Sequence, residues 1–323
     1  MTRRLRELGP ALAAPKVVDW LDAQHAFVRD NDADSYVEVQ GIAEGFGIAA
    51  DALFACCFGN VIADLALQPA LVDASTAWAT PHGKNGGLVV KNRDSRGAQG
   101  PLQRVFRHTD PEWGGKRILC LGSLGTPGAF AGGINTDGLA IADTEVGTAD
   151  HGEGWLRSFL MNRILRECAT VSEAVGLVFR TPHAGGGTLL LGDRTGAVAA
   201  IELAHSAVAA EEPGDAGYVA RTNHYVSDRL CVAPRPDDID ARASRARIAT
   251  LDHGLRGVAS PFAIDAIQTL MGRHGDSASA GLCRHEEGRD LQTIGSAIFD
   301  CRSPALHFSF DAPCRGPWQR IEP

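Results

Sequence analysis

The texture of this sequence changes at Ser75, and that change limits the fold more than any other feature. Up to about residue 70 the chain reads as helix. Val17, Val18, Leu21, His25, Ala26 and Val28 recur with a roughly 3.6-residue period, and Ala49–Leu67 is rich in Ala, Leu and Phe. From Ser75 onward, short apolar or alternating runs are bounded by turn residues: Leu88–Val90, Ala129–Ile134, Leu139–Ala142, Thr188–Leu191 and Val198–Leu203. Asn135-Thr136-Asp137-Gly138 and Gly192-Asp193-Arg194-Thr195-Gly196 read as hairpin turns. Trp155–Phe179 is helical, with a second start at Thr170, where Glu173 gives capping-box spacing. Ser244–Leu255 and Pro261–Met271 read as further helices. Strands, then helices, then strands predict an α+β sandwich of layers, not a doubly wound parallel sheet.

Composition narrows the function. The 323 residues carry 31 Lys and Arg against 39 Asp and Glu, a net charge of −8, which argues against nucleic acid as a partner held by bulk charge. The longest apolar runs, Ala52–Cys57 and Leu65–Val72, fall well short of the roughly 18 residues a membrane span needs. Met1–Leu8 is basic but leads into no apolar signal segment. The expectation is a cytoplasmic protein without a membrane partner. The eight cysteines form no CxxC pair, and the eleven histidines show no common ligand spacing, so the expectation for metal is none and for cofactors none. Gly122-Ser123-Leu124-Gly125-Thr126-Pro127-Gly128 is not GxGxxG, and Pro127 stands where a helix would begin. No phosphate loop, HExxH or GxSxG motif is present.

One stretch carries chemistry. Ser75-Thr76-Ala77-Trp78 opens a strand, Gly86-Gly87 turns it, and a second strand ends in Lys91-Asn92-Arg93-Asp94. Lys91, Asn92 and Asp94 lie sixteen, seventeen and nineteen residues after Ser75. This resembles the opening of the choloylglycine hydrolase and penicillin acylase group, where a nucleophile, a basic residue, an asparagine and an aspartate hold those offsets. From about Tyr36 to Pro317 the chain is similar to the isopenicillin-N acyltransferase-like family of N-terminal-nucleophile hydrolases. Gly41–Gly45 resembles a propeptide motif, and Gly133-Ile134-Asn135-Thr136-Asp137-Gly138-Leu139 a GxNxxGL hairpin. Thr222-Asn223-His224 matches a TNH triplet, and Ser244-Arg245-Ala246-Arg247 an SxxR helix start. Cys283-Arg284-His285 and Ala312-Pro313-Cys314 resemble CRH and GxPC pieces that look structural in relatives.

The resemblance implies a four-layer αββα enzyme with a helical propeptide over residues 1–74 and a catalytic domain over 75–323. Residue 75 attacks the Ala74 carbonyl and breaks the chain there. The freed α-amine, with an ordinary pKa of about 7.7–8.0, is then general base for its own side chain. The family nucleophile is cysteine, whereas this position holds Ser75. A cysteine-to-serine change arrests such cleavage, so the expected active residue is Cys and the chain as given an uncleaved precursor, with Gln68–Ala74 lying across the site. Implied roles are Asp94 to orient the new amine, Asn223 to donate to an oxyanion, and Arg247, with Arg245 as competitor, to set the nucleophile's electrostatics. Lys91 and Asn92 support the strand, and Asp143 or Thr144 lends a backbone N–H. The implied substrate is a small amide, with acyl-CoA a possible donor. The two fragments are expected to stay together as a heterodimer. A catalytically inactive acyl-ligand binder, with Ser75 natural, is the alternative from another class.

Overall fold

The computed structural model describes residues 2–68, 73–82, 86–231, 241–257, 262–276, 279–285 and 290–323. Residues 69–72 of the segment before Ser75, Asn85 in the first turn, and Pro261 lie outside the described residues.

Helices α1 (Thr2–Leu12), α2 (Pro15–Asn31), α3 (Ala33–Phe46), α4 (Ala50–Cys57) and α5 (Gly59–Leu65) precede the first strand, as the periodicity predicts. The buried stripe of α2 differs in detail. It runs through Val17, Trp20, Gln24 and Val28, and Val18 is exposed. Gln24 can lie in an apolar stripe because its amide is satisfied both ways. Its Nε2 donates to the Gly154 carbonyl at 2.7 Å, and its Oε1 accepts from Gly154 N at 3.1 Å. Trp20 Nε1 donates to Gly152 O at 3.1 Å. These bonds dock the first 74 residues onto the rest.

Two antiparallel sheets follow. The first combines β1 (Asp73–Pro81), β2 (Gly87–Arg96), β10 (Val219–Arg221), β11 (Leu291–Asp300), β12 (Ala305–Ser309) and β13 (Trp318–Ile321), in the order β10-β1-β2-β11-β12-β13. The second is a meander of β3 (Gln103–Thr109), β4 (Arg117–Ser123), β5 (Gly132–Asn135), β6 (Ala140–Thr144), β7 (Thr188–Gly192), β8 (Val198–Leu203) and β9 (Val208–Glu211). Strand side chains alternate in direction, and this sorts the core into three slabs. Ala77, Ala79, Val89 and Phe299 meet Leu119, Leu121, Ala142 and Leu190 between the sheets. Ile118, Ile141, Leu189 and Ile201 face the first five helices together with α6 (Arg157–Glu167) and α7 (Val171–Arg180). Trp78, Leu88, Val90 and Ile298 face α8 (Ala241–Arg256) and α9 (Ile264–Met271). The layers are helix, sheet, sheet, helix: the expected α+β, αββα sandwich.

Local signals explain the joints. Thr170 and Glu173 form the capping box that starts α7. Gly138 takes φ +90° in the β5–β6 turn, a region that favours glycine. Asn135 Oδ1 accepts from Leu139 N, while its Nδ2 donates to the carbonyls of Leu165 and Cys168 at 2.9 Å each. The GxNxxGL motif thus fastens the hairpin to the end of α6. Strand β5 starts at Gly132, three residues later than the apolar run predicts. The amides of Gly128 and Ala129 are held by the Glu38 and Asn162 side chains of the helical layer. Among the described residues no single helix is long and apolar enough to cross a membrane; only α3 and α4 together pass on length and composition, and they are bent by 120°.

Candidate active site

Strands β1 and β2 pair with Ser75 opposite Arg93, Ala74 opposite Asp94, Thr76 opposite Asn92 and Ala77 opposite Lys91. Opposed residues share a face, so one hairpin presents two chemistries. Ser75, Lys91 and Arg93 face the second sheet; Ala74, Asn92 and Asp94 face the helices α8 and α9.

On the inter-sheet face Ser75 is 7% exposed and lines a cavity of about 60 Å³ with Asp73, Ala74, Lys91, Arg93 and Asp143. Its backbone N–H donates to Asn223 Oδ1 at 3.1 Å, and the Arg247 guanidinium donates to the same oxygen. Both partners are donors, which fixes the orientation of the Asn223 amide. Asn223 Nδ2 donates to the Glu145 carbonyl at 2.9 Å. Ser244 Oγ accepts from Asn223 N at 2.7 Å and bonds His224 Nδ1 at 2.7 Å, so the TNH triplet is pinned by the first residue of the SxxR motif. Burial, with Arg245 and Arg247 close by, holds the His224 imidazole down at about 4, so it is neutral near pH 7.

Beside this lies an ion cluster. Lys91 Nζ pairs with Asp143 Oδ1, Arg157 Nε donates to Asp143 Oδ2 at 2.8 Å, and Arg157 Nη2 meets Glu145 at 2.5 Å. Arg157 Nη1 donates to the Gly186 carbonyl at 2.9 Å. Burial alone would raise the Asp143 carboxyl, but Lys91 and Arg157 overcome it and hold the group at about 2. Arg93 reaches Ser123 Oγ at 2.9 Å, and among the described residues no carboxylate pairs with it.

On the helix-side face Asp94 is fully buried. Thr293 Oγ1 donates to its Oδ1 at 2.6 Å, and the Arg284 guanidinium stands 3.7 Å from its Oδ2. That second oxygen accepts no hydrogen bond among the described residues. Burial pushes the carboxyl above its ordinary range, against Arg247, Thr293 and Arg284.

Residues 81–315 match the family described as acyl-coenzyme A:6-aminopenicillanic acid acyl-transferase. The chain belongs to this family. The match spans Lys91, Asp94, Asp143, Asn223 and Arg247 and begins six residues after Ser75. Among solved structures, two variants of conjugated bile acid hydrolase from Clostridium perfringens are 11% and 13% identical, with TM-scores of 0.52 and 0.51. The alignments cover 77% and 76% of this chain and 92% of each of those. Penicillin V acylase from Agrobacterium tumefaciens is 12% identical over 76% of this chain and 86% of its own, with a TM-score of 0.49. At such identities the likeness is one of fold, that of N-terminal-nucleophile hydrolases. No curated protein sequence matches the chain. The acyl-transferase family is one of enzymes.

In this acyl-transferase family member the expected site residues separate into two groups. Ser75, Asn223, Arg247 and Lys91 come together with Asp143, and Ala74 stands across the hairpin from Asp94. The Asp143 carboxylate pairs with Lys91 and Arg157. Thr144 Oγ1 donates to the Thr222 carbonyl at 2.5 Å and so braces the residue before Asn223. Asn92 lies on the far face, where its Nδ2 ties the Met271 and Leu282 carbonyls to β2 at 2.9 Å each. Arg245 is exposed on α8, while Arg247, two residues on, is buried and donates to Asn223 Oδ1. Sequence reasoning passed over Arg157, Glu145, Arg93 and Thr293. Arg157, opening a helix whose first turn buries Ser158, Phe159 and Leu160, offered no distinctive sign in the sequence. The reading of no metal-ligand spacing also missed that His274, Cys283, His285 and Cys314 converge; their donor atoms all lie within 4.8 Å of one another.

Proposed function

We propose that this chain is the precursor of a self-processing amide hydrolase that cleaves the linear amide bond of a small acylated substrate through an acyl-enzyme at residue 75. The nucleophile in the active form is cysteine, and Ser75 holds its place here. The observation that carries the reading is the hydrogen bond from Ser75 N to Asn223 Oδ1, shared with Arg247. An acceptor already faces the one nitrogen that becomes an amine when the Ala74–Ser75 bond is cut.

The steps follow from these positions. The side chain of residue 75 attacks the Ala74 carbonyl carbon, the C–N bond breaks, and the acyl group passes to that side chain. Water hydrolyses the ester or thioester, leaving a carboxylate on Ala74 and an amine on residue 75. Asp94, opposite Ala74 and with one oxygen unbonded among the described residues, receives the new amine and orients it. The amine takes the nucleophile's proton as the substrate carbonyl is attacked, and returns it to the departing amine of the substrate. Asn223 turns its Nδ2 from the Glu145 carbonyl to the oxyanion, a donation worth about 3–4 kcal/mol in comparable sites. Lys91, Asp143 and Arg157 keep the wall rigid and electrically balanced. Residues 1–74 and 75–323 stay associated after the cut, because Trp20, Gln24 and the apolar faces of the first helices are already docked.

A neighbouring cavity of about 280 Å³ shares Arg4, Cys57, Asp73, Arg93 and Phe130 with the Ser75 cavity and is lined as well by Leu53, Leu102 and Leu124; it suits the acyl chain. The family's description favours a second reading, in which an amine in place of water takes the acyl group from acyl-CoA or an amide. The test is a mass spectrum of the Ser75→Cys protein incubated with a panel of N-acyl amides. The expected result is an acyl adduct on residues 75–323, lost in Ser75→Ala; an added amine that yields an N-acyl product selects transfer. Turnover that persists in Ser75→Ala contradicts the reading.

A further inference from the structure

The four side chains that converge behind Asp94 belong to two connections far apart in sequence, the α9–β11 segment and the β12–β13 loop. His274 follows α9, Cys283 and His285 precede β11, and Cys314 lies between β12 and β13. We propose that His274, Cys283, His285 and Cys314 bind one zinc ion in a tetrahedral, structural site.

Geometry carries the proposal. A tetrahedral zinc with bonds of about 2.3 Å to sulfur and about 2.0–2.1 Å to nitrogen sets sulfur–sulfur, nitrogen–nitrogen and mixed edges of about 3.8, 3.3 and 3.6 Å. Here the two Sγ atoms are 3.6 Å apart, the two Nε2 atoms 3.2 Å, and His285 Nε2 is 3.0 Å from Cys314 Sγ. These three edges lie within about 0.6 Å of those of a zinc tetrahedron, and all four donor atoms lie within 4.8 Å of one another. A disulfide between Cys283 and Cys314 would account for the sulfurs alone, leaving two imidazoles aimed at each other without cause; both cysteines are free here. Two thiolates and two imidazoles suit zinc, whereas calcium and magnesium take oxygen ligands. Four protein ligands leave no open position, which marks a structural site rather than a catalytic one.

The site also has a place in the architecture. Arg284 stands between two of the ligands. Its N–H donates to Thr293 Oγ1 at 2.8 Å, and its carbonyl accepts from Thr293 N at 2.5 Å. Thr293 Oγ1 donates onward to Asp94, and the Arg284 guanidinium faces the other Asp94 oxygen. Zinc would fix the Cys283–His285 tripeptide and, through it, the position of Asp94. That last consequence rests on the function proposed above; the metal site does not.

The experiment is metal analysis of the tag-free, full-length protein by plasma mass spectrometry, after purification under reducing conditions and dialysis against metal-free buffer. One zinc per chain is expected, with cobalt added in its place giving the intense visible absorption of a tetrahedral thiolate complex. The paired variant Cys283→Ser/Cys314→Ser should hold none. Because Cys283 is buried, the exposed His274→Ala is the second variant. It keeps the fold by circular dichroism and weakens zinc affinity, measured against a chelating dye, on the order of 100-fold. A reduced, folded chain that takes up no zinc when offered an excess overturns the proposal. So does unchanged affinity in both variants, or an intact mass showing Cys283 and Cys314 bonded to each other in metal-free native protein. Zinc bound at one per chain in a protein that cleaves no amide would leave the site standing and remove only the function proposed above.

Discussion

The ion cluster beside Ser75 and the His–Cys cluster behind Asp94 are built from opposite materials. The first holds Lys91 and Arg157 against Asp143 and Glu145, so its charges balance within the chain and it is complete as it stands. The second gathers four electron-pair donors with no cation among them, so it is complete only with a positive ion at its centre. The two sites lie on opposite faces of the first sheet and are joined through β2, which sends Lys91 to one and Asp94 toward the other. A balanced buried cluster rigidifies a wall and is damaged by deleting one charge. An unbalanced donor set is damaged by withholding its ion.

The largest expected effect comes from unbalancing the first cluster. Asp143→Asn leaves Lys91 buried without its partner and should cost about 3–5 kcal/mol in urea unfolding at pH 7. The pH dependence has a definite sign. The Asp143 pKa is held at about 2, below its ordinary 3.8. Its contribution is therefore whole above pH 4 or so and is lost as pH falls through about 2. The gap between the two proteins should close over that window, and a gap that widens toward acid contradicts the assignment. Next in size, Asn223→Ala in cleaved, active enzyme should lower kcat by on the order of 10²–10³ with little change in KM. Unchanged turnover would remove Asn223 from the chemistry. The smallest effect sharpens the comparison along one helix. Arg245→Ala, on the exposed side of α8, should change stability by no more than about 0.5 kcal/mol and leave kcat alone. Arg247→Ala, which strips a donor from Asn223, should lower kcat. Equal effects from both would mean that burial has been misread as function.

Most of the fold was legible where a local rule governs. The capping box at Thr170, the Asn135 hairpin and the helices α1 to α5 before the first strand are set by neighbours in sequence, and they form as expected. The ordered motifs from Ser75 to Cys314 were enough to place the family. What was not legible depends on contacts between distant segments. Strands β3, β4 and β9 to β13 carry mixed or polar patterns that pairing partners, not local periodicity, resolve. Gln24 is buried because Gly154 satisfies it 130 residues away. Val18 and Arg245 share helices with buried residues but lie on the outer faces, a matter of phase that sequence spacing of one or two residues does not resolve. The His–Cys cluster was invisible for the same reason. Three of its ligands lie in the α9–β11 connection and the fourth in the β12–β13 loop, so their linear spacing matches no familiar pattern.

The central claim is that residue 75 is the nucleophile of an N-terminal-nucleophile enzyme whose maturation stops at serine. The most direct measurement is the intact mass of the Ser75→Cys protein beside the unaltered chain, each followed over time with an N-acyl amide present. A cut between Ala74 and residue 75 is expected in the variant. Fragments 1–74 and 75–323 should stay associated under native conditions. Amide turnover should rise in step with the cut and be abolished by thiol alkylation, while the unaltered chain remains whole. A Ser75→Cys protein that stays a single chain yet turns over amides would contradict the mechanism, and efficient cleavage with Ser75 in place would contradict the claim that serine arrests it.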